Sequence, residues 1–569
     1  VLAEPSRVEP RKDIFALLLI ATLTFLAYSN SFHGEFQYDD QRLIRFNFAL
    51  RDLSNWHAIL RFEPFRPLTL LTYALNFQIS KKDPFSYHIF NFSLHLISTF
   101  LFYAFLRRFS SKVSLCFFSS ALFALHPLNT ESVSYIASRP ILLCAIFYWL
   151  ALFCFDRYVR RSGLWNVIGF YVFLLLGLAS KEDAALIPAA ALLMNGILYG
   201  KKSVRQRLAF HISSLLFILF IATYRVYFNF SHSILNPYPV SVYLPTEAYV
   251  CLHYLGLALY PIPLNVDHYV TALDFLDWRF WVSTVVITGL ISALLKMKRR
   301  YPFFAFWGFW FFLNSLASSS VFPLAEFMAE HRTYLSLYGF TVILGFLPLF
   351  TVSKDSDIAV PSKLISISLI LLLLFYGFAT WKRNLLWETR LTLWVDTVEK
   401  SPQKFRPHLN LGFVLSQMGA YDAAIQEYII ARRIDPRFPV VYAGLGFVYL
   451  QKGMMAEAES AFQNALKIDP NYFDAKTGLG IIHYRQEQYR TAISYFEQVY
   501  PYRKESPELI IMMSECYIES SMDKKASDIL SEASRWYPDF ASIEELLNAG
   551  KKGEALDQLR AKGKKFRLQ

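Results

Sequence analysis

From its first residues to Thr380 the chain alternates apolar runs with short polar connections, and beyond Trp381 it changes character. A run of about 20 mostly apolar residues, with about 17–25 tolerated, is long enough to cross a bilayer as one helix. Eleven runs are read as crossing: 14–31, 87–106, 113–125, 141–155, 164–179, 184–199, 208–228, 280–295, 303–320, 333–350 and 364–381. Several are short and are expected to draw on their polar flanks. A further run, 246–263, is also apolar, and its reading depends on charge. From residue 381 onward apolar positions recur at helical spacing among many charged ones, which is the pattern of helices with one buried face. The pattern predicts an all-α chain of two domains, one in the membrane and one amphipathic, with the boundary between residues 381 and 390.

The second domain repeats itself. Leu-Gly recurs with a period of 34 at Leu411–Gly412, Leu445–Gly446 and Leu479–Gly480, where a small residue lets two helices approach. Ala424, Ala458, Ala492 and Ala526 keep the same spacing, and Tyr428, Phe462 and Phe496 follow the first three by four residues. Asp435–Pro436 and Asp469–Pro470 close two units, Pro538 closes the fourth, and Ser514 stands where that unit would carry its glycine. This is the tetratricopeptide pattern. Residues 386–404 read as a connecting helix, 405–540 as the repeats and 541–569 as capping helices. The expected product is an α-solenoid whose concave face suits a peptide or protein, with a purely architectural spacer as the alternative.

Composition agrees with a membrane protein. The 569 residues are 54% hydrophobic with mean hydropathy +0.29, against about 45–50% apolar for a soluble domain. The net charge of +12 does not call for nucleic acid, because the basic residues cluster in short loops. These are Arg107, Arg108 and Lys112; Arg157, Arg160 and Arg161; Lys201, Lys202, Arg205 and Arg207; and Lys296, Lys298, Arg299 and Arg300. Short basic loops mark the cytoplasmic side. With the first residues cytoplasmic, all four clusters fall on that side provided 246–263 does not cross, so this run is read as re-entrant or interfacial. The first run has a basic flank and no small-residue cleavage site after it, and reads as an uncleaved span. The repeats are then extracytoplasmic. Five cysteines lie far apart, in neither metal-ligand nor disulfide spacing.

The same assignment gathers polar residues on the outer face. Asp39 and Asp40 lie in "YDDQRL", within a first outer loop of about residues 32–86 that also holds Arg66. His126, Glu131 and Arg139 lie in "HPLNTESVSYIASRP", Lys181 and Glu182 in "SKED", and Glu330, His331 and Arg332 in "AEHRTYL". A charged group near the bilayer centre costs at least about 2.5–3.5 kcal/mol on insertion scales, so such groups lie at the water edge or are placed for work. An isolated Asp-Asp ordinarily caps a helix. Three cationic sites facing an acidic pair suggest instead a phosphate held beside a base, with arginine offering a planar fork and lysine a point charge. His88, Asn91 and His95 share one helical face, where interhelical hydrogen bonding and a pocket role are both open.

In this order "YDD", "RPLTLLTYALN", "YHIFNFSLH", "HPLNTESVSYIASR", "SKED", "AEHRTYLSLYG" and "WKRNLLWETRLTLW", followed by the repeats, resemble the TMTC proteins. These are transmembrane and TPR-containing O-mannosyltransferases, related to the PMT enzymes within the GT-C glycosyltransferase superfamily. The resemblance implies a GT-C membrane domain over residues 1–385 whose first outer loop carries the catalytic acidic pair, here Asp39 and Asp40. It implies mannose or another hexose on a polyprenyl- or dolichyl-phosphate as donor, and transfer to a Ser/Thr hydroxyl of a protein bound by the repeats. On this reading Asp39 is the general base of an inverting single displacement and Asp40 its orienter or acceptor ligand. Arg332, Lys181 and Arg139 hold the donor phosphate, Glu131 and Glu330 fix those cations, and His126 bonds the sugar or a loop backbone. Glu182, His331, His88, Asn91 and Arg66 support them. No cofactor is expected beyond the lipid-linked donor; no His/Cys cluster indicates a metal, although the acidic residues could hold a divalent ion. The chain departs from the family in its shorter array and in His331 and Thr333, where an "ERVLYLP"-like run is expected. The expected setting is a bacterial inner membrane, with the endoplasmic reticulum as the alternative. Two other functions stay open: a non-catalytic membrane-anchored repeat scaffold for envelope assembly, and a GT-C enzyme acting on a glycan or lipid.

Overall fold

The computed structural model describes residues 10–229, 238–318, 326–347 and 362–567, and among them every regular element is a helix. The chain forms two compact units that part between Asp396 and Thr397, inside the helix Arg390–Lys400.

Among the described residues of the first unit, five helices are long and apolar enough to cross a membrane: Pro10–Ser31, Phe85–Arg107, Ile136–Arg161, Trp278–Met297 and Leu364–Leu386. A helix of 23 residues spans about 35 Å at about 1.5 Å per residue, which matches a hydrocarbon layer of about 30 Å. Val113–Ala124 and Pro127–Ser134 make a sixth only as a pair bent by 49°. Proline lacks the N–H that would continue the first helix, so the break falls before Pro127. Leu164–Leu178 and Pro302–Ser318 are apolar but shorter, at 15 and 17 residues. Leu208–Asn229 is 22 residues long and coincides with run 208–228. Run 184–199 is helical without a gap, through Glu182–Leu186, Ile187–Met194 and Asn195–Tyr199, with its pitch changing along the way. The ends of runs 303–320 and 333–350 lie outside the described residues. Among the described residues helix length and apolarity together single out five helices, or six with the bent pair, and the expected eleven crossings are not confirmed.

The long helices sort their polar residues to two ends. At one end Arg107 pairs with Asp13 at 2.7 Å, and the buried Asp156 binds Arg108, Arg160 and Tyr199. Arg207 donates to the carbonyl of Val159 at the same end, so members of three basic clusters meet there. At the other end His88 donates to the carbonyl of Gly34, and Arg139 reaches Asn91. Between the ends the interior is aromatic: Trp149 stacks on Trp310 at 5.2 Å, beside Phe102, Trp307 and Tyr338.

Residues 246–259 of run 246–263 fall in one 20-residue helix, Val240–Leu259, which contains Pro245. Tyr243 near its start meets Phe327, with ring centroids 5.9 Å apart, and Tyr254 further on bonds both the N–H and the carbonyl of Ala329. Both halves thus rest on the same short segment, and the carbonyl of Ala258 near the helix end accepts from His126 and Tyr376.

The second unit is a stack of antiparallel helix pairs. Phe405–Gln417 packs with Tyr421–Ile434, Pro439–Gln451 with Met455–Ile468, Phe473–Arg485 with Tyr489–Val499, and Pro507–Glu519 with Asp523–Ser534. Phe540–Asn548 and Lys552–Arg567 close it. The repeated glycine is needed for close approach: a Cβ at Gly446 would stand 2.6 Å from the Phe462 ring, and one at Gly480 would stand 2.4 Å from Phe496. In the fourth pair Ser514 takes the glycine position, and the facing residue is the smaller Leu530 instead of an aromatic ring. Gain of a side chain on one helix is matched by loss of a ring on the other.

Candidate active site

The end of the first unit that carries Asp39 contains a cavity of about 340 Å³. Asp39, Arg66, Lys181, Glu182, His331 and Arg332 line it, so the structure brings together six residues singled out from the sequence. Arg42, Glu63, Asp183, Tyr73 and Tyr135 line it as well and were not foreseen. Arg42 follows Asp39 by three residues in a helical segment, and Glu63 precedes Arg66 by three in "EPFR"; this spacing was the available signal.

One helix between the first two long apolar helices, Pro67–Ser80, brackets the site. Proline at its first position starts it and leaves Arg66 at the cap. Leu68 N–H donates to the carbonyl of Ala179 and Thr69 Oγ1 to that of Ser180, which seats the Lys181 segment against this helix. Tyr73 Oη donates to the carbonyl of Ile136, which seats the third wall. Asp39 comes from the short turn Tyr38–Asp40, whose N–H at Asp39 donates to Tyr135 Oη at 3.0 Å. Tyr135 in turn stacks on Trp387 at 5.7 Å.

Charges in the cavity come largely in pairs. Arg42 meets Glu63 at 2.9 Å, Arg66 meets Glu182 at 2.8 Å, and Lys181 meets Asp183 at 3.2 Å. Partial burial works against ionisation of Glu182, whose side chain is half-exposed, but the neighbouring Arg66 and Lys181 charges outweigh it and hold the carboxyl at about 2. Arg332 donates from Nη1 to the carbonyls of Glu326 and Phe327, and the residue borders the cavity. His331 gives its Nδ1–H to Glu131 Oε1 at 2.6 Å while its backbone N–H meets Oε2 of the same carboxylate at 3.1 Å. Glu131 thus fixes His331, not a phosphate-holding cation.

Several residues expected at the site lie behind it. Asp40 is fully buried, and its carboxylate oxygens accept the N–H groups of Gln37 at 2.8 Å and Ala137 at 2.7 Å. Burial pushes its carboxyl well above the ordinary range, against the pull of those two N–H groups. Asp40 thereby ties the Asp39 turn to the Tyr135–Ala137 segment. Arg139 is also fully buried and does not line the cavity. Its guanidinium donates to Asn91 Oδ1 at 2.8 Å, Thr72 Oγ1 at 3.2 Å and the carbonyl of Tyr87 at 3.3 Å, and lies over the Tyr73 ring at 4.4 Å. The cost of burying a guanidinium is met by hydrogen bonds and ring faces, so it braces the wall on which Tyr73 stands.

His126 donates from Nε2 to the carbonyl of Ala258 and accepts from Leu128 N–H at Nδ1, which makes it a loop lock. His88 and Asn91 serve interior hydrogen bonds, as does His95 between Tyr334 and Ala124. Glu330 accepts from Asn265 N–H and His268 and stands 3.9 Å from Arg383, away from the cations it was expected to fix.

Comparison with known proteins bears on both units. Family models for the tetratricopeptide repeat match residues 438–505 and 483–549. A Protein O-mannosyl-transferase of Caenorhabditis elegans is 25% identical over 74% of this chain and 63% of its own. Protein O-mannosyl-transferase TMTC3 of Mus musculus is 25% identical over 74% of this chain and 51% of its own, and TMTC1 of Homo sapiens is 24% identical over 74% and 55%. The chain therefore spans between about half and 63% of the length of these curated relatives. Among solved structures, the TPR protein YrrB, described as having an unusual peptide-binding site, is 22% identical over 29% of this chain and 90% of its own, with a TM-score of 0.25. The chain thus carries tetratricopeptide repeats and apolar helices long enough to cross a membrane, and over about three quarters of its length it is similar to TMTC proteins and other proteins named protein O-mannosyl-transferases.

Proposed function

We propose that the chain is an integral-membrane glycosyltransferase that moves mannose from a polyprenyl- or dolichyl-phosphate to a Ser/Thr hydroxyl of a protein. The observation that carries this reading is the cavity, where the Asp39 carboxylate shares one water-accessible space with Arg66, Lys181 and Arg332 at the end of a set of apolar helices. The relatives' names support the reaction class.

In the proposed step the acceptor oxygen attacks the anomeric carbon as the bond from that carbon to the phosphate oxygen breaks. The bonding pair leaves on the lipid phosphate, and the hydroxyl proton passes to Asp39. A lipid phosphate is already a good leaving group, so deprotonating the acceptor and meeting charge on phosphate are the main tasks. A positioned carboxylate typically contributes 10²–10⁴-fold as general base. Arg332 and Lys181, with Arg66 beside them, meet the phosphate charge in a site of low dielectric. Asp40 and Arg139 are assigned to positioning, because neither borders the cavity. Single displacement inverts the anomeric centre and needs no covalent intermediate. The repeats are proposed to present the acceptor on the extracytoplasmic side of a bacterial inner membrane.

The test is transfer by the purified chain. Polyprenyl-phosphate mannose should label an acceptor protein at serine or threonine, and nucleotide-linked mannose should not. Absence of transfer from any lipid-phosphate sugar, with donor still bound, would favour a repeat scaffold instead.

A further inference from the structure

The cavity assigned to a phosphate-bearing donor carries as many carboxylates as fixed cations. Asp39, Glu63, Glu182 and Asp183 stand against Arg42, Arg66, Lys181 and Arg332. A pocket made only to attract an anion would be left positive, since each added carboxylate repels the ligand. Two of the carboxylates belong to the same short segment as Lys181, and they engage the cations best placed for phosphate: Glu182 on Arg66 at 2.8 Å and Asp183 on Lys181 at 3.2 Å. The pairs differ in burial. Arg66 and Glu182 are 40% and 52% exposed, whereas Lys181 and Asp183 are 10% and 8% exposed.

We infer that Glu182 and Asp183 are specificity-determining residues that pair with Arg66 and Lys181 and must be displaced by the donor's phosphate. The inference rests on reading this cavity as a donor-phosphate site. A small free anion brings only its charge and gains little by replacing one carboxylate with another on the same arginine. A sugar phosphate on a lipid brings sugar and chain contacts as well, and these offset the exchange. Discrimination of this kind uses a repulsive element against the wrong ligand, alongside attraction for the right one. The half-exposed Arg66–Glu182 pair is the easier to open, because such pairs change an equilibrium by only about a few-fold. The buried Lys181–Asp183 pair is the stronger barrier.

Inorganic phosphate is the probe, and its binding to the purified full-length chain is measured by calorimetry. Glu182→Gln should bind phosphate about 2–5-fold more tightly than the native chain, and Glu182→Gln/Asp183→Asn more tightly again. Unchanged or weakened phosphate binding in Glu182→Gln would overturn the inference, since the carboxylate would then serve only to orient Arg66. Glu182 is half-exposed, so this single variant carries the test even if the change at buried Asp183 impairs folding. A gain in affinity cannot arise from misfolding. Because phosphate binding requires no transfer, loss of the proposed activity and loss of this inference would be seen separately.

Discussion

Replacing Asp40 separates a structural tie from a substrate contact. Its two carboxylate oxygens accept the N–H groups of Gln37 and Ala137 in a site with no solvent exposure. Asp40→Ala leaves both donors buried without an acceptor, at about 1–3 kcal/mol each, or about 2–6 kcal/mol together. Asp40→Asn keeps one acceptor oxygen and turns an amide N–H₂ toward the other donor, so about 1–3 kcal/mol is expected. The assays are unfolding of the purified chain and amide hydrogen exchange at Gln37 and Ala137. Both amides should exchange faster in the alanine variant. A pH series adds a sign. Burial holds this carboxyl above its unfolded value, so the folded chain binds its proton more readily than the unfolded chain. Its contribution is therefore complete below the ordinary carboxylate range and is lost as pH rises through the raised value. Asp40→Asn should remove that loss. An alanine variant with native stability and native exchange would refute the tie and return Asp40 to the substrate.

Other changes probe other parts of the account. Gly446→Ala drives a methyl to 2.6 Å from the Phe462 ring; overpacking of about 1–3 kcal/mol should exceed the helix-propensity gain of about 1 kcal/mol, and a raised midpoint of the repeat unit would contradict the packing. Arg139→Met removes three interior donors and should destabilise the chain by about 2–5 kcal/mol, while the folded fraction keeps its donor affinity; a fall in affinity without loss of stability would place Arg139 on the phosphate. Reporter fusions at Lys298 and Pro402 should report opposite sides of the membrane, and agreement between them would undo the proposed orientation. Glu182, held at about 2, should stabilise the folded chain above pH 4.5 and lose that effect as pH falls toward 2, a limb that Glu182→Gln should abolish.

Local periodicity made the repeats legible, because each pair buries the same face and each glycine meets an aromatic ring four residues beyond its alanine. Asp39, Lys181 and Arg332 were legible for a different reason: polar residues at the ends of apolar runs have few places to go. Burial depth was not legible. Asp40 is adjacent to Asp39 but points to Gln37 and Ala137, and Arg139 is buried by Thr72 and Tyr73 from one helix and Asn91 from the next. The partners of the cations were hidden likewise, since Glu182 finds Arg66 across 116 residues and Glu131 finds His331 across 200. The count of eleven crossings is not confirmed, because apolar composition marks a run without fixing the course of the helix through it, as at Pro127, where the chain bends by 49°.

The central claim is that Asp39 takes the proton while Arg332 holds the phosphate, and one paired measurement tests it. Transfer from purified polyprenyl-phosphate mannose to an acceptor peptide is followed in Asp39→Asn and Arg332→Ala, with donor binding measured separately. Asp39→Asn preserves shape and removes basicity, so donor should bind as in the native chain while transfer falls by about 10²-fold or more. Arg332→Ala removes a fork that meets phosphate in ground and transition states, so affinity and turnover should fall together, and lysine should restore only part. An Asp39→Asn chain that keeps most of its transfer rate would contradict the account.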